Sequence, residues 1–185
     1  MSRRVVAGLF HSLDGVVSEP NLFQFDSFDA DLGRLMGEVL GPVDEVVMGR
    51  KGYRQWAAYW PGHNDPDDFG PFINPIRKHV ASRTLTQADL TWENSHLIEG
   101  DLLDFVRRLK EADGGDISVQ GSISVVRQLF LAGLLDRLTL ITHPVIAGAG
   151  ERLFGPETPT TRLRLLDHEV TTAGNVVVTY GLRAS

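Results

Sequence analysis

The sequence predicts an α/β fold with a mostly parallel central sheet covered by helices on both faces. Short apolar runs that read as strands alternate with stretches of helical periodicity along most of the chain. Parallel strands joined by crossover helices are buried on both faces, and the runs are apolar enough for that. Near the C-terminus the alternation gives way to two consecutive strands around Ala173-Gly174-Asn175, a hairpin that adds antiparallel edge strands.

The elements follow in order. Val5–Phe10 is a short apolar run, followed by His11-Ser12-Leu13-Asp14-Gly15 as a turn. Glu19–Ser27 is polar and irregular. Phe28, Leu32, Leu35, Met36, Val39 and Leu40 then recur at helical spacing until Gly41-Pro42 stops them. Asp44–Met48 reads as a strand ending at Gly49. A short helix begins near Arg50, with Tyr53, Trp56, Ala57 and Trp60 on one face. Pro61–Pro75 is loop-like and carries acidic residues. His79-Val80-Ala81 is a third strand and Leu90–Glu93 a fourth. Asp101 is placed to cap a helix with Leu102, Phe105, Val106 and Leu109 on its apolar face, ended by Gly114-Gly115. Ile117–Gln120 is a strand. Gly121-Ser122 opens a helix carrying Ile123, Val126, Leu129 and Phe130. Leu138–Thr142 is a strand, and Leu163–Val170 with Val176–Leu182 make the hairpin.

The 185 residues suit one domain spanning 1–185, without repeats or a clear linker. A net charge of −6 argues against non-specific nucleic-acid binding and against anionic membrane surfaces. The absence of cysteine excludes disulfides, cysteine zinc sites and thiol nucleophiles. The N-terminus runs straight into a strand, without the apolar region of a signal peptide. No apolar run approaches the ~18 residues of a membrane helix. A cytoplasmic location is the expectation. The six histidines show no metal spacing, so no metal is expected.

Val145–Gly155, VIAGAGERLFG, looks at first like a dinucleotide-binding stretch. The G-x-G-x-x-G fingerprint would need glycine at 153, where Leu153 stands, and Pro156 and Pro159 leave no room for a long helix. Its glycines therefore read as a loop. Three other places are better suited to phosphate. Gly49-Arg50-Lys51 follows a strand and opens a helix, whose free N–H groups and partial positive charge suit an anion. Cations in a first turn oppose the helix dipole, which an anionic partner would explain. Gly121-Ser122 also joins a strand to a helix, with Ser122 equally suited to plain N-capping. Ser82-Arg83-Thr84 offers one guanidinium between two hydroxyls. All three fall at carboxyl ends of predicted parallel strands, where open α/β sheets bind ligands.

The ordered set Ser12-Leu13-Asp14-Gly15, Met48-Gly49-Arg50-Lys51-Gly52-Tyr53, Val80-Ala81-Ser82-Arg83-Thr84-Leu85, Gly115–Ser122, Gly133-Leu134-Leu135-Asp136, Pro144–Gly150 and Leu153-Phe154 resembles the dihydrofolate reductase-like superfamily. It is most similar to the branch holding the reductase domain of the bacterial riboflavin-biosynthesis deaminase–reductase. The resemblance covers nearly the whole chain. It implies a three-layer α/β/α sandwich and NADPH as hydride donor to a small heterocycle, with activity of the aminouracil-reductase or dihydrofolate-reductase type. It places Gly49, Arg50 and Lys51 at the cofactor phosphates and Ser82 and Arg83 at the 2′-phosphate. Gly121, Ser122 and Ile123 fall at the pyrophosphate and nicotinamide side, Leu13 and Asp14 near the nicotinamide and substrate. It implies a homodimer, and the loop at Gly148–Gly150 leaning on the active-site loop near Leu13–Val17.

The sequence also departs from the pattern. The cysteine-containing deaminase half is missing. Val16 stands where the riboflavin enzymes commonly carry lysine, which argues against a phosphorylated substrate. Asp31 and Asp29 fall near the acidic position that holds a pterin, although capping is the simpler role for surface aspartates there. Hydride transfer also needs a proton, for which Asp14 is the first residue to test, against its ordinary role as a turn former before glycine. Trp56, with Tyr53 and Trp60, is either a substrate-stacking aromatic or part of the core. The competing expectation is a non-catalytic nucleotide-binding or dimeric interaction module on the same fold.

Overall fold

The computed structural model describes residues 3–65 and 69–182. Eight strands form one sheet: β1 (Val5–Ser12), β2 (Val43–Gly49), β3 (Arg77–Ala81), β4 (Ser95–Leu97), β5 (Asp116–Val119), β6 (Arg137–His143), β7 (Leu163–Val170) and β8 (Val176–Leu182). The helices are α1 (Ala30–Leu40), α2 (Arg50–Ala57), the single turn α3 (Gly70–Ile73), α4 (Leu102–Glu111) and α5 (Ile123–Leu131). The strand order is β4-β3-β2-β5-β1-β6-β8-β7. From β4 to β6 all pairs are parallel, whereas β8 is antiparallel to both β6 and β7. The α/β class, the mostly parallel sheet and the terminal hairpin are as the sequence predicts.

Alternation along β1 sorts its side chains into two cores. Val5 and Ala7 face Ile117, Val119, Val126 and Leu129 under α4 and α5. Val6 faces Val46, Met48, Tyr53 and Ile73 under α2 and α3. A smaller cluster of Leu32, Ile141 and Val177 fixes α1 on that second face, with Phe10 packed against it. The sheet is therefore the middle of three layers. Removing a buried leucine such as Leu129 would cost about 3 kcal/mol.

Several boundaries shift by a residue or more from the sequence reading, and three of the differences have a clear physical cause. β1 runs on to Ser12, because its pairing with β6 continues until Ser12 meets His143. α1 begins at Ala30 rather than Phe28, since the Asp29 carboxylate accepts from Leu32 N and ends the helix there. The expected strand at Leu90–Glu93 is absent. Thr86 and Asp89 close a capping box around a 3₁₀ turn over Gln87–Asp89, Trp92 turns into the core, and the strand forms at Ser95–Leu97. Part of the Pro61–Pro75 segment, 66–68, lies outside the described residues; α3 occupies Gly70–Ile73.

The amino ends of the strands are held by charge. Arg3, nearly fully buried, pairs with Asp44 and Glu45, and Arg4 forks onto both Asp116 oxygens. Lys78 is fully buried; its ammonium donates to Asn74 O and Ile76 O, each at 2.8 Å, under the Trp92 ring. Burial pulls its pKa down to about 8. At the ends of the sheet, β4 is three residues long, and β7 carries an irregularity between Leu165 and Asp167. No helix among the described residues is long and apolar enough to cross a membrane.

Candidate functional site

Every predicted phosphate contact follows the carboxyl end of a parallel strand, and the strand order makes the three strands neighbours: β3, β2, β5. Side chains tie the loops together. Arg50 Nη1 donates to Thr84 Oγ1 at 2.6 Å, joining the start of α2 to the Ser82–Thr84 loop. A Cβ on Gly49 would lie 2.5 Å from Ser122 Oγ, and a Cβ on Gly52 would lie 1.8 Å from Gly121 O. The start of α2 therefore rests directly on the start of α5, an approach only glycine permits at 52. Gly121 has φ +58° and its missing Cβ faces Trp56, whose ring would stand 3.0 Å away. Trp56 thus walls the turn at Gly121 from within an aromatic cluster with Trp60 and Phe69.

The helix starts differ in a way that matters for anions. α1 and α4 are closed by carboxylates: Asp29 accepts from Leu32 N, and Asp101 from Leu103 N and Asp104 N. α2 and α5 have no side-chain cap. Ser122 stands at the N-cap position of α5 without bonding the helix, so the expected serine cap does not form. Two uncapped starts converge at Gly49 and Gly121, leaving first-turn N–H groups and the Ser122 hydroxyl for another partner. Lys51 and Arg83 are exposed beside them. Ser82 is partly committed, as its oxygen accepts from Thr84 N and Leu85 N at 3.2 and 3.0 Å and shapes the loop that presents Arg83. Ile123 is half-buried on the first turn of α5, packed against the core under that helix.

At the other half of the carboxyl edge, at β1, β6 and β8, the aspartates are engaged in hydrogen bonds. Asp14 accepts from the Ser12 hydroxyl at 2.7 Å, Ala147 N at 2.9 Å and Gly148 N at 2.9 Å. These bonds, the serine first, bring its pKa down to about 2. A carboxyl that low holds no proton to give at neutral pH, so its geometry is that of a clamp on the 145–150 loop rather than of an acid. Arg152 Nε donates to Asp14 O, Val17 N to Glu151 O and Leu13 N to Val145 O. Gly150, with φ +141°, presses against Val16. The glycine-rich stretch is a loop zipped to 13–18. Leu13 is left two-thirds exposed beside it.

Asp31 is committed to the hairpin: its carboxylate accepts from Thr172 N and Thr172 Oγ1, pinning α1 to the β7–β8 turn. Asp29 accepts from Ala173 N in the same turn. Both aspartates staple the hairpin to α1. A hollow of about 160 Å³ between α1 and the sheet, lined by Arg4, Leu35, Glu38, Asp116 and Arg137, lies at the opposite, amino end of the strands.

Sequence reasoning gave no role of their own to Gly52, Ser12, Arg152 and the residues around His143. The repeated glycine in Met48–Tyr53 hints at Gly52. Ser12 acts locally, on Asp14 and Val16 N, whereas Arg152 and His143 act through partners remote in sequence, which no local pattern reveals.

The family model described as the RibD C-terminal domain matches residues 3–178. The chain belongs to this family. It is 29% identical to an uncharacterized protein of Bacillus subtilis, YyaP, over 96% of this chain and 94% of that protein. Among solved structures it is similar to a putative riboflavin biosynthesis protein from Shewanella sp. PV-4, with TM-score 0.74 and 20% identity over the full length of both chains. It is also similar to the riboflavin biosynthesis reductase Rib7 of Saccharomyces cerevisiae, with TM-score 0.63 and 15% identity, covering 98% of this chain and 90% of that one. These likenesses match the dihydrofolate reductase-like α/β sandwich that the sequence resembles.

Proposed function

We propose that this member of the RibD C-terminal domain family is an NADPH-dependent reductase of a small, unphosphorylated heterocycle. The observation that carries the reading is the convergence of two uncapped helix starts, α2 and α5, between the cations Arg50, Lys51 and Arg83. A polyanion with several phosphates fits that arrangement, and the close backbone approach at Gly52 and Gly121 leaves its floor free of side chains. Arg50, Lys51 and the N–H groups of both helix starts would hold the pyrophosphate. Arg83 and Ser82 would hold a 2′-phosphate. The cofactor supplies a hydride, and the chain's task is to bind, orient and exclude water.

The unphosphorylated substrate follows from the other half of the edge. Val16 is buried there. The cations nearest that half are engaged: Arg152 with Asp14 O, Arg127 with Leu153 O and Arg152 O, and Arg34 with Glu38 and Glu169. Exposed Leu13, Phe28 and Ile146 offer apolar surface instead.

The test is a melting-temperature series with NADPH and NADH. At about 100 times its Kd, NADPH should stabilise by about 2.7 kcal/mol, or about 8 °C for a chain of this size, and NADH by clearly less. Arg83→Ala should weaken NADPH about fivefold, near 1 kcal/mol, and leave NADH unchanged. Equal shifts from the two nucleotides would remove the 2′-phosphate assignment; no shift from either would remove the cofactor.

A further inference from the structure

We propose that Ser27, His143 and Asn175 deliver the proton that the reduction consumes; the assignment rests on the reductase reading above. His143 ends β6 on the α1 face of the sheet, opposite Ser12, and is fully buried. Its Nδ1 lies 2.6 Å from Ser27 Oγ. Its Nε2 and the Oδ1 of Asn175, itself fully buried, form no hydrogen bond of ordinary geometry, while Asn175 is the side chain that acts on the imidazole and favours its charged form. Buried polar atoms are rarely left so, and such exceptions gather at functional positions.

The chemistry of the three groups orders them. The Asn175 amide nitrogen is spent on Ser27 O at 2.6 Å and Thr171 Oγ1 at 3.0 Å. Its oxygen can only accept, which favours a hydrogen on His143 Nε2. In the neutral ring Nδ1 is then bare and takes the Ser27 hydroxyl hydrogen. Ser27 Oγ also lies 2.5 Å from Gln24 O. When the ring is protonated, Nδ1–H donates to Ser27 and the hydroxyl turns away to another acceptor. The serine hydrogen thus has two settings, chosen by the charge on the imidazole.

Phe10 and Phe23 wall the ring at centroid distances of 5.6 and 6.0 Å. With the imidazole sealed from water, Ser27, only half-buried, is its outlet. The outlet sits between exposed Phe25 and Phe28. Phe25 holds φ +44°, a strained value for a non-glycine residue.

Reducing a C=N bond takes one hydride, carrying two electrons, and one proton. Ser27 O–H gives the proton to the substrate nitrogen and takes the Nδ1 hydrogen of the imidazolium. The imidazole is left neutral and is reprotonated from solvent through the Ser27 hydroxyl once product has left, and the cofactor is oxidised as the substrate is reduced. Ser27 is the group that meets the substrate; His143 refills it and Asn175 positions the ring. Burial lowers the His143 pKa, partly offset by Asn175. No charged group contributes to that shift, and the carboxylates of the neighbouring elements, Asp14, Asp29 and Asp31, are committed to backbone and hydroxyl donors. Turnover should therefore rise as pH falls through a value below 6.5.

The experiment follows NADPH oxidation from pH 5 to 9 with a panel of oxidised pterins, pyrimidines and quinones. Alongside it, ¹⁵N NMR titrates His143 in the same intact protein. Ser27→Ala should lower kcat about 100-fold, the usual reach of general acid catalysis, with NADPH affinity unchanged. Asn175→Asp places a carboxylate against Nε2 and should move both the pH limb and the NMR titration of His143 upward by at least one pH unit. That variant keeps the shape of the site and guards against loss of fold. A Ser27→Ala protein with wild-type kcat and pH limb overturns the relay and leaves the reductase standing. So does an Asn175→Asp protein in which neither titration moves. A wild-type protein that binds NADPH yet reduces nothing in the panel overturns relay and reductase together.

Discussion

The carboxyl edge of the sheet has two halves of opposite character. At β3, β2 and β5 the helix starts are uncapped and the cations Arg50, Lys51 and Arg83 are exposed. At β1, β6 and β8 each of the three aspartates finds a donor: Asp14 on the 145–150 loop, Asp29 and Asp31 on the hairpin turn. Both halves are made of the same kinds of residue. What separates them is whether hydrogen-bonding capacity is spent inside the protein. Unspent donors are what the proposed polyanion would use in the first half. Spent donors hold loops in place in the second, and so fix the shape of the surface proposed for the substrate.

The comparison can be broken hardest at Gly52. Gly52→Ala puts a methyl into Gly121 O and should cost about 3 kcal/mol, lowering Tm by about 8 °C and weakening NADPH at the same time. A variant that keeps both would mean the two helix starts are not in contact. In the second half, Asp14→Ala should speed amide exchange at Ala147 and Gly148 at least tenfold while leaving NADPH affinity within about twofold. The same contribution should fade with acid. Asp14 has a folded pKa below its unfolded one, so its stabilisation is full above about pH 4 and is lost as pH falls towards 2.

A control lies away from both halves. Lys78 titrates near 8 when folded and near 10.5 when unfolded. Between those values the unfolded chain binds more protons, so stability should rise with pH across that window. Urea midpoints should show the rise in the wild type and not in Lys78→Met. The smallest effect is expected at Lys51→Ala, about fivefold in NADPH Kd, near 1 kcal/mol, with Tm of the free protein unchanged.

Much of this was legible in the sequence. The helix-opening glycines at 49 and 121 and the loop at Ser82–Arg83 could be read because strand ends and helix starts have local signatures. That the three strands are neighbours could not, since sheet order is set by crossovers rather than by any one segment. Leu90–Glu93 misread because apolar residues at 90 and 92 serve a 3₁₀ turn and an inward tryptophan as readily as a strand. Asp14, Asp29 and Asp31 were ambiguous for the same reason in each case. Their partners, Ala147, Ala173 and Thr172, are more than 130 residues away.

The ends of the sheet have a consequence of their own. A long parallel sheet is slow to form and exposes open edges while it does so. This one closes with a three-residue strand at one side and with β7 at the other, where Arg164, Asp167 and Glu169 charge the edge and an irregularity breaks its register. Neither edge is a good template for a further strand. The chain can thus keep an eight-stranded sheet from recruiting its neighbours during synthesis, when the concentration of half-folded copies is highest.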